Sequence, residues 1–192
     1  MLEEQKSSFY ILTGGPGVGK TTLLEALRKK GFQTVPEEAR KIIQEQIKQN
    51  GEALPWKNKS LYAMLMFDAS VKTYQEISAE KTDKAIFFDR GIADTICYMN
   101  MENIPISPEM IEIINQNKYN KKVFILPPWE QIYTTDKERK QTWEEALYTF
   151  HKMKEVYLEY DYEVIEVPKD DVENRVEFII NQIKNSKGIC NV

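Results

Sequence analysis

Two cysteines, Cys97 and Cys190, and one histidine, His151, are all that this 192-residue chain offers for disulfide or soft-metal chemistry. So few ligands, so far apart, exclude a disulfide framework and a Cys/His zinc cluster. No apolar run approaches the ~20 residues that a membrane-crossing helix needs, so no membrane partner is expected. A basic excess is missing as well: 26 Lys+Arg face 30 Asp+Glu for a net charge of −4. Nucleic-acid binding requires a cationic face to neutralise phosphates, and no nucleic-acid partner is expected. The small group Lys118, Lys121 and Lys122 reads as solvated surface. Residues 1–8 lack the basic start and apolar stretch of a secretory signal, which makes a cytoplasmic location the expectation. Repeats, low-complexity tracts and heptads are absent. What is there, 42% hydrophobic and 29% charged residues, is ordinary for a soluble fold and suits one domain over residues 1–192.

Short apolar runs alternate with helical patterns along the chain. Residues 9–12 form the first run, followed by Gly14 and Gly15 and then by helical spacing at Leu23, Leu24 and Leu27. Arg28, Lys29 and Lys30 suit the negative end of that helix, and Gly31 suits a left-handed cap. A second strand is expected at 32–36 and a helix at 38–50, stopped by Gly51. The next helix carries a stripe of Met64, Phe67, Val71, Tyr74 and Ile77, which reads as core or as the wall of a substrate pocket. Further strands are expected at 85–88, 123–126 and 162–167. A capping box at Thr142 and Glu145 opens a helix whose stripe includes Ala146, Leu147, Phe150 and Tyr157. The last helix carries Val172, Val176, Ile179, Ile180 and Ile183. Such alternation predicts an α/β fold with about five parallel strands and helices on both faces, with ligands at the carboxyl ends of the strands.

The run Gly14-Gly15-Pro16-Gly17-Val18-Gly19-Lys20-Thr21-Thr22 satisfies the phosphate-loop pattern in the strand–turn–helix setting that its mechanism requires. The backbone of residues 15–22 would wrap a phosphate with its N–H groups, Pro16 having none to give. Lys20 would reach the β and γ phosphates, and the Thr21 hydroxyl would ligate Mg²⁺. The expected ligands are therefore a nucleoside triphosphate, ATP, and magnesium. Asp89 closes a hydrophobic strand, where a carboxylate can hold the metal or its water; a strand-end salt bridge is the plainer reading. Arg90 stands where hydrolytic ATPases often carry Glu, and a guanidinium there suits phosphate charge. Asp94 could face the same cleft or cap a helix.

Pro36-Glu37-Glu38-Ala39-Arg40 follows the second strand. Glu37 is the candidate base for an acceptor hydroxyl, and Arg40 could steady the acceptor or its neighbouring Glu. Alternatively Glu37 is a favourable charge at a helix start and Arg40 its surface partner. Residues 129–142 read as a lid or a solvated loop; as a lid they would bring Arg139 to the transferring phosphoryl group. Pro168 could border the adenine, while Asp170 could cap the last helix.

Together these residues resemble the small predicted-ATPase family of P-loop proteins that carries the AAA label. That family is similar to bacterial ribosylnicotinamide kinase and other nucleoside and nucleotide kinase-like domains. The resemblance rests on the phosphate loop, Val35-Pro36-Glu37-Glu38-Ala39-Arg40, Phe88-Asp89-Arg90-Gly91 with Asp94, Phe124-Ile125-Leu126-Pro127-Pro128-Trp129, Asp136 with Arg139, and Val167-Pro168. It implies a P-loop NTPase fold of three α/β/α layers with strand order 2-3-1-4-5. It also implies ATP and magnesium as ligands, with Glu37, Arg40, Asp89, Arg90 and Arg139 around an acceptor cleft. The Asp89-Arg90 pair resembles the aspartate–arginine motif of thymidylate kinases. The expected activity is phosphoryl transfer from ATP to a small hydroxyl-bearing metabolite, a nucleoside or riboside. The alternative is an ATPase that switches a protein partner, a reading weakened by the absence of Glu after Asp89. A GTP switch is disfavoured because Asn117-Lys118-Tyr119-Asn120 ends in Asn and precedes its strand.

Overall fold

The computed structural model describes residues 8–80, 82, 84–132 and 142–187. Five parallel strands, β1 (Phe9–Thr13), β2 (Gln33–Val35), β3 (Ile86–Asp89), β4 (Lys122–Ile125) and β5 (Glu163–Glu166), pair in the order β2-β3-β1-β4-β5. Between them run α1 (Lys20–Lys29), α2 (Glu38–Lys48), α3 (Lys59–Ala79), α4 (Ile92–Met101), α5 (Pro108–Gln116), a single 3₁₀ turn (Glu130–Ile132), α6 (Trp143–Glu159) and α7 (Val172–Lys187). The expected α/β/α layering and strand order 2-3-1-4-5 are thus what the chain adopts. Among the described residues no helix is long and apolar enough to cross a membrane.

Strand period decides which side chain meets which helix. Phe9, Ile11, Ile86, Phe88, Val123 and Ile125 point to one face, where α3, α4 and α6 cover them through Phe67, Ile96 and Tyr157 among others. Tyr10, Leu12, Phe87, Phe124 and Leu126 point to the other, beneath Leu23 and Leu27 of α1 and Val176 and Ile179 of α7. Because both faces are covered, the central strands read as unbroken apolar runs rather than as an alternation. With all five strands parallel, the carboxyl ends of β1, β2 and β3 lie on one edge of the sheet.

Several local expectations need correction. The stop after α2 is Asn50, which takes the left-handed conformation at φ 53°, and not Gly51; asparagine reaches that region more readily than most side chains. Asp171, not Asp170, caps α7 by accepting from Asn174 N at 2.8 Å. Two stripe residues, Met64 and Leu147, are exposed; in place of Met64, α3 turns Tyr62 and Met66 inward. The capping box of α6 forms as expected, with Thr142 N donating to Glu145 Oε2 at 2.6 Å and Glu145 N to Thr142 Oγ1 at 3.2 Å. Most of the expected lid, including Asp136 and Arg139, lies outside the described residues.

Phe87 is fully buried and packs on the rings of Tyr10, Phe32 and Phe124 at 5.7, 5.4 and 6.5 Å. Phe87→Ala is expected to cost about 3–5 kcal/mol, read from the urea unfolding midpoint at unchanged slope.

Candidate active site

The phosphate loop leaves β1 at Thr13 and enters α1 at Lys20. Gly19 has φ 88°, a conformation that costs a β-carbon-bearing residue strain, and it immediately precedes the helix. At Gly14 the constraint is contact: a Cβ there would lie 2.7 Å from the Leu126 carbonyl oxygen. No side chain caps the start of α1, so its first N–H groups face the loop's concavity. Thr21 and Thr22 are exposed on that first turn. Lys20 is buried, and its Nζ donates to the carbonyls of Gly14 and Gly15, each at 2.8 Å. Burial and the nearby Arg90 charge lower its pKa to about 8, against the opposing pull of Asp89, Glu37 and Asp94.

The second cluster forms at the ends of β2 and β3. Arg90 follows Asp89 in a left-handed conformation, φ 76°, which for a residue with a side chain costs of order 1–3 kcal/mol. Its backbone N donates to Leu12 O at 3.1 Å, fixing the strand end to β1. Its Nε donates to Glu37 Oε1 at 2.7 Å and its Nη1 to Asp94 Oδ1 at 3.3 Å. Burial opposes the charge on Arg90, but Glu37, Asp94 and Asp89 outweigh it and raise its pKa. Glu37 shows the mirror behaviour: burial would raise its carboxyl, yet Arg90 and Lys20 hold it below the usual value. Glu37 stands at the N-cap position of α2 but makes no cap hydrogen bond with its side chain. Arg40 is 3.8 Å from Glu37, with 72% of its side chain exposed.

Asp89 differs. Burial, reinforced by Glu37 and Asp94, raises its pKa despite Lys20 and Arg90. Its Oδ1 is buried without a hydrogen-bond partner among the described residues. An orphaned carboxylate oxygen beside a lysine and a hydroxyl-bearing helix start is a donor set of hard oxygens. That set suits magnesium, which keeps several waters and takes few protein ligands. No group of three or more His, Cys, Asp or Glu able to hold a metal occurs among the described residues.

Asp94 realises both readings of it. As the third residue of α4 it accepts from Gly91 N at 2.8 Å, capping the helix, and it also borders the cleft. Thr13 Oγ1 and the Tyr157 hydroxyl donate to it as well. The cleft itself, about 330 Å³, is bounded by Pro16, Glu37, Asp89, Arg90 and Asp94 on its polar side and by Tyr62, Met66 and Tyr98 on its apolar side. Pro168 borders a separate cavity of about 340 Å³ with Pro127, Pro128 and His151.

Three participants escaped the sequence reading. Thr13 and Tyr157 meet Asp94 across separations of 81 and 63 residues, which no local pattern reports. Arg175 is buried on α7, with Nη2 donating to the Val18 carbonyl at 3.4 Å and Nε without a hydrogen-bond partner among the described residues. Its signal was available: a lone cation on the apolar stripe, three residues after Val172 and four before Ile179.

A family profile described as an AAA domain matches residues 9–175, and the chain belongs to this AAA-domain family of P-loop proteins. No curated protein matches the chain. Among solved structures it is similar to the NadR protein in complex with NR, at TM-score 0.72 and 18% identity over 97% of this chain and 53% of that one. The chain therefore spans about half the length of that structure. A deoxyadenosine kinase from M. mycoides, with products dCMP and dCDP bound, aligns at TM-score 0.60 and 19% identity over 92% of this chain and 99% of that one. Shikimate kinase from Acinetobacter baumannii, in complex with shikimate, aligns at TM-score 0.55 and 17% identity over 98% and 99%. Identities this low establish the fold alone, and that fold is the P-loop kinase fold.

Asp94 is the buried junction of four donors, so Asp94→Asn leaves Arg90 without one carboxylate and sets an amide N–H₂ against a donor that cannot accept, Gly91 N or Arg90 Nη1. A loss of about 3 kcal/mol is expected in urea unfolding. A change within 0.5 kcal/mol, the range of ordinary surface substitutions, would show that the junction carries no structural weight.

Proposed function

We propose that the chain is an ATP-dependent kinase transferring the γ-phosphoryl group to a hydroxyl of a small metabolite, nucleoside-like or riboside-like. The observation that carries this reading is the Glu37–Arg90 ion pair, formed at the edge of a cleft that opens beside the phosphate loop. A carboxylate and a guanidinium so placed can orient an acceptor against the end of a triphosphate held by residues 15–22.

In this reading Lys20 exchanges its two loop carbonyls for β and γ phosphate oxygens. Glu37, kept anionic by Arg90, accepts a hydrogen bond from the acceptor hydroxyl and takes its proton late, since a loose phosphoryl transition state asks little of the base. Arg90 faces the charge that develops on the transferring group, and Asp94 holds it there. Arg40, at the rim, contacts the outer part of the acceptor. Thr21 and Asp89 would hold magnesium, which supplies charge neutralisation between the phosphates. Residues 129–142 act as a lid carrying Arg139, Pro168 borders the adenine, and residues 1–192 work as one cytoplasmic domain. An ATPase that moves a protein partner is the competing reading; it gives Glu37 no acceptor to orient.

The test is ADP release across a panel of nucleosides and ribosides with magnesium-ATP. Stimulation by at least one member supports transfer, whereas robust hydrolysis that no member stimulates sinks it. Glu37→Gln should lower kcat about 10²-fold with little change in KM for ATP. Lys20 adds a pH dependence: only its ammonium attracts the triphosphate, and that proton is lost as pH rises through about 8. Affinity for magnesium-ATP should fall between pH 7 and 9, with proton uptake on binding seen by calorimetry in buffers of different ionisation enthalpy. Lys20→Ala should bind weakly at every pH and lose that slope.

A further inference from the structure

The cleft is not uniform. One side holds the charged pair, while the other is built from α3 and α4. There Tyr62 and Tyr98 meet edge to face with ring centroids 5.7 Å apart at 86°. Met66 and Met101 stand beside them on the same lining. Rings and thioethers offer a flat, polarisable surface that suits a planar ring better than an open polyol.

Within that apolar part lies one unexplained polar atom. The Tyr98 hydroxyl is buried and has no hydrogen-bond partner among the described residues. Buried polar atoms are nearly always partnered, so one left over beside a cavity is available to a ligand. Burial and the neighbouring Glu102 push its pKa up to about 12, so it remains an O–H able to donate.

Charge narrows the ligand further. Five carboxylates line the cleft, Glu37, Glu38, Asp89, Asp94 and Glu102, against one lining cation, Arg90. Arg90 is engaged by Glu37 and Asp94. The cations that reach the lining carboxylates from outside are paired with them: Arg40 with Glu37 at 3.8 Å, Lys41 with Glu38 at 3.0 Å and Lys59 with Glu102 at 2.5 Å. Among the described residues no cation on the lining itself is left unpaired for a phosphate or carboxylate on the acceptor, and an anion entering there meets repulsion.

Resting on the kinase reading for the identity of the cleft, we infer that its apolar side reads the planar ring of an acceptor that bears no negative charge, with Tyr98 donating or accepting the recognising hydrogen bond. The acceptor is then a nucleoside-type molecule and not a nucleotide or a carboxylate-bearing sugar. Ring and hydroxyl are recognised at opposite ends: Tyr98 fixes the first, Glu37 the second.

Equilibrium binding separates this inference from the proposed reaction. Calorimetry with magnesium and a non-hydrolysable ATP analogue would compare uncharged nucleosides, their 5′-monophosphates, ribose and shikimate on the wild-type chain and on Tyr98→Phe. At least one nucleoside should bind, its monophosphate at least tenfold more weakly, and ribose not measurably. Tyr98→Phe should raise that nucleoside's Kd about tenfold at an unchanged melting temperature, because a ligand atom then lacks its partner. A merely structural role would move the melting temperature instead. Tighter binding of monophosphates or shikimate, binding of no nucleoside, or an unchanged Kd in Tyr98→Phe overturns the inference. Nucleosides that bind through Tyr98 yet yield no ADP with hydrolysable ATP overturn the kinase reading and leave this one standing.

Discussion

The guanidinium of Arg90 is the contact on which the site depends. It stands on a strand end whose backbone is forced into a left-handed turn, and it joins two carboxylates from different parts of the chain, Glu37 after β2 and Asp94 on α4. The strain of that turn is tolerable because three anchors hold it: the bond from Arg90 N to Leu12 O and the two ion pairs. Strain kept in place at a cleft is a common mark of a functional position, since a relaxed backbone would aim the side chain elsewhere. The same charges set the neighbours apart electrostatically, with Glu37 held readily ionised and Asp89 held toward its protonated form. Two carboxylates at one edge of the sheet thereby acquire different characters.

How much of this was written in the sequence varies with the distance over which each interaction acts. The phosphate loop was fully legible because its chemistry is local, a run of glycines, a lysine and a threonine between a strand and a helix. Strand positions were legible within a residue or two because both faces of the sheet are buried and the apolar runs are unbroken. Strand order was not contained in those runs; it came from the resemblance, and the sheet adopts it. Cap residues were misplaced by one position at Gly51 and Asp170, where Asn50 and Asp171 offer the same chemistry one step away. Glu37 and Asp89 were read as cleft residues, but that Arg90 bridges Glu37 to Asp94 could not be read, because it depends on how two loops meet.

Tyr98 shows a different kind of illegibility. Helix α4 is apolar almost all round, with Ile92, Ala93, Ile96, Cys97 and Met99 buried, so no stripe distinguishes the side turned to the cleft from the side turned to the sheet. A tyrosine in such a helix reads as core. What separates it from the buried rings is a hydroxyl left unpaired among the described residues, and an unpaired atom is a property of the packed structure. Tyr157, by contrast, does sit on a recognisable stripe, and the pattern correctly made it core while hiding its bond to Asp94.

The bond from Arg175 to the Val18 carbonyl gives the last helix a mechanical office. A glycine-rich turn has little stiffness of its own, and here a strut from α7 braces it from behind, on the carbonyl side. The precision with which the loop's amides are aimed is therefore partly borrowed from a helix more than 150 residues downstream, and damage to that distant helix would blur the aim without touching the loop.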